Sequence, residues 1–264
     1  MNRPLALITG GTSGIGLAAA RRLQADYQLA LIYGHDRQRA EQISQDVAPC
    51  FQADLAHPEQ IAACFRLVQE HYQQPVQVLI NAAGVAGPAR FLLQRRDLGP
   101  LQEMMKVNYL GSLALIQRVL PEMVQHGVGV IVNIASASSL GANPGFIGYS
   151  ESKAALRCLT RNLAAELAGS GVSVHCLSPA RVATPMTTRW LEGATQVNHP
   201  LGRALEADEV AQAIEHLVRA GPLLNGLDLV LDGGQSLTHS SEILRERAES
   251  DDERLSSEVS ARPK

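Results

Sequence analysis

Short apolar runs recur along the chain, and amphipathic stretches separate them. Residues 5–9 read Leu-Ala-Leu-Ile-Thr and lead straight into glycines. A run with no polar face belongs to a strand buried on both sides. The same reading holds for 29–33, 76–81, 128–134, 172–177 and 227–231, with a shorter strand at 49–52. Between the runs, apolar residues recur at helical spacing, as at Ile15, Ala18, Ala19 and Leu23. This predicts helices over 14–25, 36–46, 58–72, 97–125, 148–168 and 207–220, and a short one around 186–191. Pro58 suits a first helical turn. Pro121 is expected to bend or split the long 97–125 helix late. Strand and helix alternate throughout, so the expected architecture is α/β and doubly wound: a seven-stranded parallel sheet with helices on both faces.

The 264 residues suffice for one such domain, placed at 1–240. Residues 241–264 differ in character, with seven acidic and five basic residues and few that could join a core. A charged, flexible extension is expected there, with a short amphipathic helix over 242–255 as the alternative. The net charge is -3, which argues against nucleic acid or an anionic membrane as the main partner. No apolar stretch approaches membrane-spanning length, and the N-terminal run is too short for a signal peptide. Cys50, Cys64, Cys158 and Cys176 show no metal-binding or redox spacing. The eight histidines show no ligand spacing either. A soluble protein of the reduced cytoplasm, without a metal, fits these features.

The sharpest motif is Thr9-Gly10-Gly11-Thr12-Ser13-Gly14-Ile15-Gly16, between the first strand and the first helix. Glycines there let the backbone turn tightly and approach a pyrophosphate, with a helix N-terminus facing the charge. A second motif pairs Tyr149 with Lys153. Four residues apart in a helix, they share a face. A free phenol titrates too high to trade protons at neutral pH, and a neighbouring ammonium is expected to lower it. Tyr and Lys at this spacing also occur on many solvated helices. Only three of the 23 basic residues are lysines, however, which makes this placement more informative.

With these motifs in register, the chain resembles the short-chain dehydrogenase/reductase family over about residues 4–236. The turn has that family's TGxxxGxG form, and Asp54-Leu55 follows the third strand. Asn81-Ala82-Ala83-Gly84 follows the fourth, Asn108 sits in the long helix, and Pro179 and Thr184 follow the sixth. The resemblance implies a Rossmann-type fold and an NAD(P)-dependent oxidoreductase that interconverts a ketone and a secondary alcohol. It selects Ser136 over Ser138 and Ser139, by its distance of thirteen residues before Tyr149. It implies that Tyr149 is the acid/base and that Ser136 bonds the reacting oxygen. Lys153 would hold the nicotinamide ribose, and Asn108 would link Lys153 to solvent through water. Asp54 would meet the adenine, and residues 81–84 would flank the cofactor, as would Pro179, Ala180 and Thr184.

The second strand ends at Tyr33, followed by Gly34, His35, Asp36 and Arg37. NAD sites of this architecture place a carboxylate at the strand tip, for the ribose 2'-OH. Here Tyr33 takes that place and Asp36 comes late. His35 or Arg37 could meet a 2'-phosphate, so NADP(H) is favoured over NAD(H). Ser13 stands where many NADP-preferring relatives carry Arg or Lys, which weighs the other way.

The chain departs from the family at His175 and Ala180, which replace an asparagine and a glycine. Ala180 is expected to narrow the nicotinamide end of the site, and His175 to make a structural hydrogen bond. Residues 181–197 should cap the pocket. Trp190 and Met186 could touch an apolar substrate there. Arg181 could pair with a substrate carboxylate, although a surface arginine is the plainer reading. Residues 198–203 resemble β-ketoacyl-acyl-carrier-protein reductases. Yet 124–129 and 168–171 hold no Arg or Lys to steer an acidic carrier protein, so a free small-molecule carbonyl or alcohol is preferred. Polyol, sugar or hydroxysteroid oxidation is an alternative, as is a nucleotide-binding regulator without turnover. Because Asn108, Ser136, Tyr149 and Lys153 are all present, the regulator is disfavoured. The resemblance also implies a homodimer or homotetramer.

Overall fold

The structure is a computed structural model and describes residues 3–86, 97–143, 145–191 and 200–237. Its strands are β1 (Leu5–Thr9), β2 (Gln28–Tyr33), β3 (Cys50–Gln52), β4 (Val76–Asn81), β5 (Gly129–Ile134), β6 (Val172–Pro179), β7 (Val182–Ala183), β8 (Leu205–Glu206) and β9 (Asp228–Leu231). Seven of them form one sheet in the order β3-β2-β1-β4-β5-β6-β9. Every pairing in it is parallel. The predicted sheet is therefore present, strand for strand. Residues 241–264 lie outside the described residues.

The apolar runs are continuous because each strand feeds two cores. In β1, Ala6 and Ile8 face one side and Leu5 and Leu7 the other. The first core packs under α1 (Gly14–Leu23), α2 (Arg37–Asp46) and α8 (Ala207–Ala220). The second packs under α3 (Pro58–Tyr72), α5 (Ser112–His126) and α6 (Tyr149–Glu166). Leu5, Leu7 and Ile8 are fully buried, each contributing about 1.5–3 kcal/mol. At the rim, Arg22 of α1 donates to Asp208 of α8 at 2.7 Å. Among the described residues no helix is long and apolar enough to cross a membrane.

The long helix breaks at a different place from the one Pro121 predicts. It comprises α4 (Gly99–Met105), a π-helical turn over Lys106–Gly111, and then α5. Pro121 sits inside α5, which runs on to His126. The irregular turn contains the buried Asn108. Beside it, a Cβ on Gly111 would stand 2.7 Å from the Leu55 carbonyl oxygen, so the helix lies close against the chain after β3. A short parallel pair, β7–β8, holds the segment after β6, where irregular chain is expected from the sequence. It leads into α7 (Pro185–Leu191), close to the short helix predicted there.

α5 ends at Gly127 (φ +66), whose amide bonds back to Met123 and Val124. Gly171 packs against that end. Its φ is +81, and a Cβ there would stand 2.0 Å from the Gly127 carbonyl oxygen. Gly169 has φ +82 but open space around it. Gly169→Ala should therefore cost only the left-handed backbone term, about 1–2 kcal/mol. Gly171→Ala should cost clearly more, because backbone must move. Urea denaturation of both variants checks this, and equal losses would show that the Gly127 contact is slack.

Candidate active site

The carboxyl ends of the central strands border a cavity of about 560 Å³. It lies where the strand order reverses between β1 and β4, the position at which open α/β sheets hold ligands. β1 delivers the glycine turn, and Gly10, Thr12, Ser13, Gly14 and Ile15 line the cavity. Gly10 (φ +64) and Gly14 (φ +48) adopt left-handed backbone, which side chains disfavour. A Cβ on Gly10 would stand 3.1 Å from the Ala83 backbone. Gly16 is not on the wall. A Cβ there would stand 2.4 Å from the Gly10 carbonyl oxygen, so its role is to let α1 start directly beneath the turn. The Ser13 side chain does not cap α1, and the first turn holds no acid. Open N–H groups at a positive helix end fit a phosphate. This glycine cradle therefore fits the pyrophosphate of a dinucleotide.

Beside the turn, Ala82, Ala83 and Gly84, after β4, also line the cavity. Thr9 works from behind it, its Oγ1 accepting from the Ala83 amide at 2.9 Å. Asn81 is also off the wall. Its amide donates to Asn133 Oδ1 at 2.8 Å, and Asn133 in turn donates to Thr160 at 2.9 Å. Asp54 and Leu55 line the cavity after β3, and Tyr33, His35 and Asp36 line it after β2. Asp36 caps α2 by accepting from the Arg39 amide at 3.0 Å. Arg37 is not among the lining residues. It is exposed and pairs with Glu41, 2.9 Å away and one helical turn on. The ion pair is solvent-exposed and holds the guanidinium at the start of α2.

Ser136, Tyr149 and Lys153 line the same cavity, as do Pro179 at the end of β6 and Ala180 and Thr184 beyond it. Ser136 follows β5, and its Oγ accepts from the Ser138 amide at 3.2 Å and from Ser138 Oγ at 2.9 Å. Ser139 Oγ donates to the Ser136 carbonyl at 2.6 Å. Tyr149 opens α6, where the Glu151 carboxylate accepts from the Gly148 amide and closes the helix start. Lys153 is buried and donates to the Ile134 carbonyl at 2.8 Å. Its Nζ stands 5.9 Å from the centre of the Tyr149 ring. Ala180 continues the sheet, donating to the Leu231 carbonyl at 2.8 Å.

Asn108 lies behind this group, fully buried. Its side chain accepts from the Val85 amide at 2.8 Å and donates to the Val85 carbonyl at 3.0 Å and to Ser152 Oγ at 2.9 Å. Ser152 passes its own proton to the Tyr149 carbonyl at 2.7 Å. Asn108 thus fixes the segment after Gly84 to the start of α6. A Cβ on Gly84 would fall 3.2 Å from Asn108 Oδ1 and 3.3 Å from Lys153 Nζ.

Burial dominates the titration of the pair. Tyr149 is half-buried, and desolvation pushes its phenol up from the usual value. A hydrogen bond from Ser136 opposes this. Desolvation lowers Lys153 to about 8. The expected lowering of Tyr149 by Lys153 is therefore not seen, because the ammonium stands off the ring and points to Ile134. His175 is fully buried too, yet neither ring nitrogen has a partner at bonding geometry among the described residues. Burial lowers its pKa, and the nearby Leu224 backbone only opposes this.

Some positions carry no visible signal in the sequence. Val85, Ser152 and Asn133 look like ordinary core or helix residues until the fold brings their partners. Arg157 is another, donating to the Ser139 carbonyl at 3.1 Å and to Asp228 at 2.6 Å. Asp228 also accepts from Ser178 at 2.8 Å. Met186 reaches the cavity wall as expected, and the Trp190 side chain lies outside the described residues. Among the described residues no cluster could hold a metal ion.

A profile of the family described as short chain dehydrogenase matches residues 4–195. Carbonyl reductase family member 4 of Danio rerio is 32% identical over 237 residues, covering 88% of this chain and 98% of the relative. The 2-(R)-hydroxypropyl-CoM dehydrogenase of Xanthobacter autotrophicus is 32% identical over 243 residues, covering 87% and 97%. The crystal structure of 3-ketoacyl-(acyl-carrier-protein) reductase from Brucella melitensis, complexed with NADH, superimposes with a TM-score of 0.82 at 25% identity, covering 89% and 99%. The chain belongs to the short-chain dehydrogenase/reductase family and is an NAD(P)-dependent oxidoreductase that interconverts a ketone and an alcohol.

Proposed function

We propose that the protein reduces the ketone of a small organic molecule to a secondary alcohol, with NADPH as its cofactor. The observation that carries this reading is the convergence of Ser136, Tyr149 and Lys153 on the cavity that the Gly10–Gly16 turn also borders. Bound nicotinamide supplies the hydride. Tyr149 gives its proton to the carbonyl oxygen as negative charge develops there. Ser136 donates a hydrogen bond to the same oxygen. Lys153 holds the nicotinamide ribose, and Asn108 braces the wall between them while serving its water link. Thr9, Gly16 and Asn81 shape the cofactor site from behind, and Thr12 to Ile15 take the phosphates.

The cofactor reading rests on the end of β2. Tyr33 stands at its tip, and the nearest carboxylate, Asp36, is committed to capping α2. His35 lines the cavity beside them and would meet the 2'-phosphate. A free substrate is preferred to a carrier-protein thioester, because the α5 terminus and residues 168–171 offer no basic steering charge. A cytoplasmic homodimer or homotetramer completes the proposal, and the four free cysteines agree with a reducing compartment.

Titration of the purified protein with NADPH and NADH, side by side, tests the cofactor. NADPH should bind at least about tenfold more tightly, and a preference for NADH would refute the reading of Tyr33 and His35. Tyr149→Phe should retain NADPH binding but lose about 10²–10⁴ in kcat for ketone reduction. A variant that keeps its rate would remove Tyr149 from the chemistry.

Lys153 gives a prediction about pH. Its folded pKa, about 8, lies below the ordinary lysine value of 10.5. Below pH 8 both folded and unfolded chains hold the proton, and the burial cost is complete. Between about pH 8 and 10.5 the folded chain releases it while the unfolded chain keeps it, so stability from this group rises with pH. Lys153→Met should therefore raise the Tm at pH 7, and the gain should shrink as the pH approaches 10. Thermal melts of both proteins at the two pH values check this, and a variant that melts lower at pH 7 would count against it.

A further inference from the structure

A second cavity of about 320 Å³ adjoins the first and shares Ser136, Tyr149 and Ala180 with it. The reacting carbonyl would stand between the two cavities, so the second holds the rest of the substrate. Its wall is mixed, with Leu140, Phe146 and Met186 among its apolar residues and Ser138, Asn143 and Gln235 among its polar ones. Two charged residues, Arg181 and Asp232, are among those that line it. Asp232 is buried and already occupied, accepting from the Gly234 amide at 2.9 Å and the Ser236 amide at 2.8 Å.

Arg181 differs. Its backbone is held, the carbonyl accepting from the Leu205 amide at 2.9 Å beside the β7–β8 pair. Its guanidinium has no hydrogen bond or ion pair to any described residue. Arg22, Arg157, Arg203 and Arg219 each meet a carboxylate, and the arginines that share Arg181's lack of a side-chain partner among the described residues, Arg21, Arg39, Arg66 and Arg161, line neither cavity. An arginine anchored by its backbone beside a substrate cavity, with its fork of donors uncommitted, is suited to bidentate capture of an oxyanion.

Resting on the reductase reading above, we propose that Arg181 is the anion-binding residue of the substrate cavity and that the substrate is a small keto acid. Its carboxylate pairs with Arg181, its carbon chain lies against Leu140, Phe146 and Met186, and its ketone reaches Tyr149. In the reaction the ketone carbon gains a hydride from the reduced nicotinamide and the ketone oxygen gains a proton from Tyr149. The products are a hydroxy acid and the oxidised nicotinamide. The carboxylate is unchanged and serves only to place the chain.

The test is NADPH-dependent reduction of acetoacetate, levulinate and their longer homologues, each beside its methyl ester. The ester keeps the ketone and removes the charge. At least one acid of the series should exceed its ester by about tenfold in kcat/KM. Arg181→Gln should erase that ratio, chiefly through a higher KM for the acid, and Arg181→Lys should keep part of it. Esters that match or exceed their acids throughout, or a preference that survives Arg181→Gln, would overturn the proposal. Should no ketone be reduced, calorimetric titration of the NADP⁺-loaded protein with the same acids decides. Binding that Arg181→Gln weakens about tenfold upholds Arg181 and places the failure in the reductase reading. Absent or equal binding overturns Arg181 itself.

Discussion

Helices cover both faces of the parallel sheet, so the strand ends are what remains open for chemistry. Everything functional in the molecule follows from that confinement. Each strand spends its side chains on two cores, as Leu5 and Leu7 against Ala6 and Ile8 show. The groups that meet a ligand must come from the turns just past the carboxyl ends. Gly10–Ile15, Tyr33–Asp36, Ala82–Gly84, Ser136 and Pro179–Ala180 are those turns. The strand order reverses between β1 and β4, and this separation of crossovers opens the crevice they share.

A site made of loop ends must be braced, and the bracing here is polar and buried. Asn108 spends its side chain on both backbone groups of Val85 and on Ser152. Thr9 holds the Ala83 amide, and Asn81, Asn133 and Thr160 form a chain beneath the floor. A buried polar group left unpaired costs about 1–3 kcal/mol, so these networks favour one arrangement of the loops over its neighbours. The network is not perfect. Asn81 Oδ1 and both His175 nitrogens have no hydrogen bond among the described residues.

Local rules made most of this readable. Apolar runs fed by two cores announced the strands, and the glycine turn announced the cradle. Tyr149 and Lys153 needed only helical spacing, and the family resemblance was needed to choose Ser136 among three serines. What the sequence hides is set by distant packing. The π-helical turn at Lys106–Gly111 depends on what Asn108 meets across the chain, while the visible helix breaker, Pro121, was absorbed by α5. By contrast, the pairing of Arg37 with Glu41 follows from helical spacing alone. The titration of Tyr149 depends on depth below the surface, which residue spacing does not encode. Asp228 and Arg157 lie 71 residues apart and meet only because β9 joins the sheet beside β6.

The cysteines also have unequal surroundings. Cys64 and Cys176 are buried and their thiols are pushed up to about 12, and the half-buried Cys50 to about 11. Thiols of this kind are poor nucleophiles at neutral pH. Cys158 alone is exposed, and it sits on α6, the helix that carries Tyr149 and Lys153. A maleimide dye would therefore attach at one point without mutagenesis and report on the motions of that helix. Its quenching would also reveal whether another copy of the chain covers it.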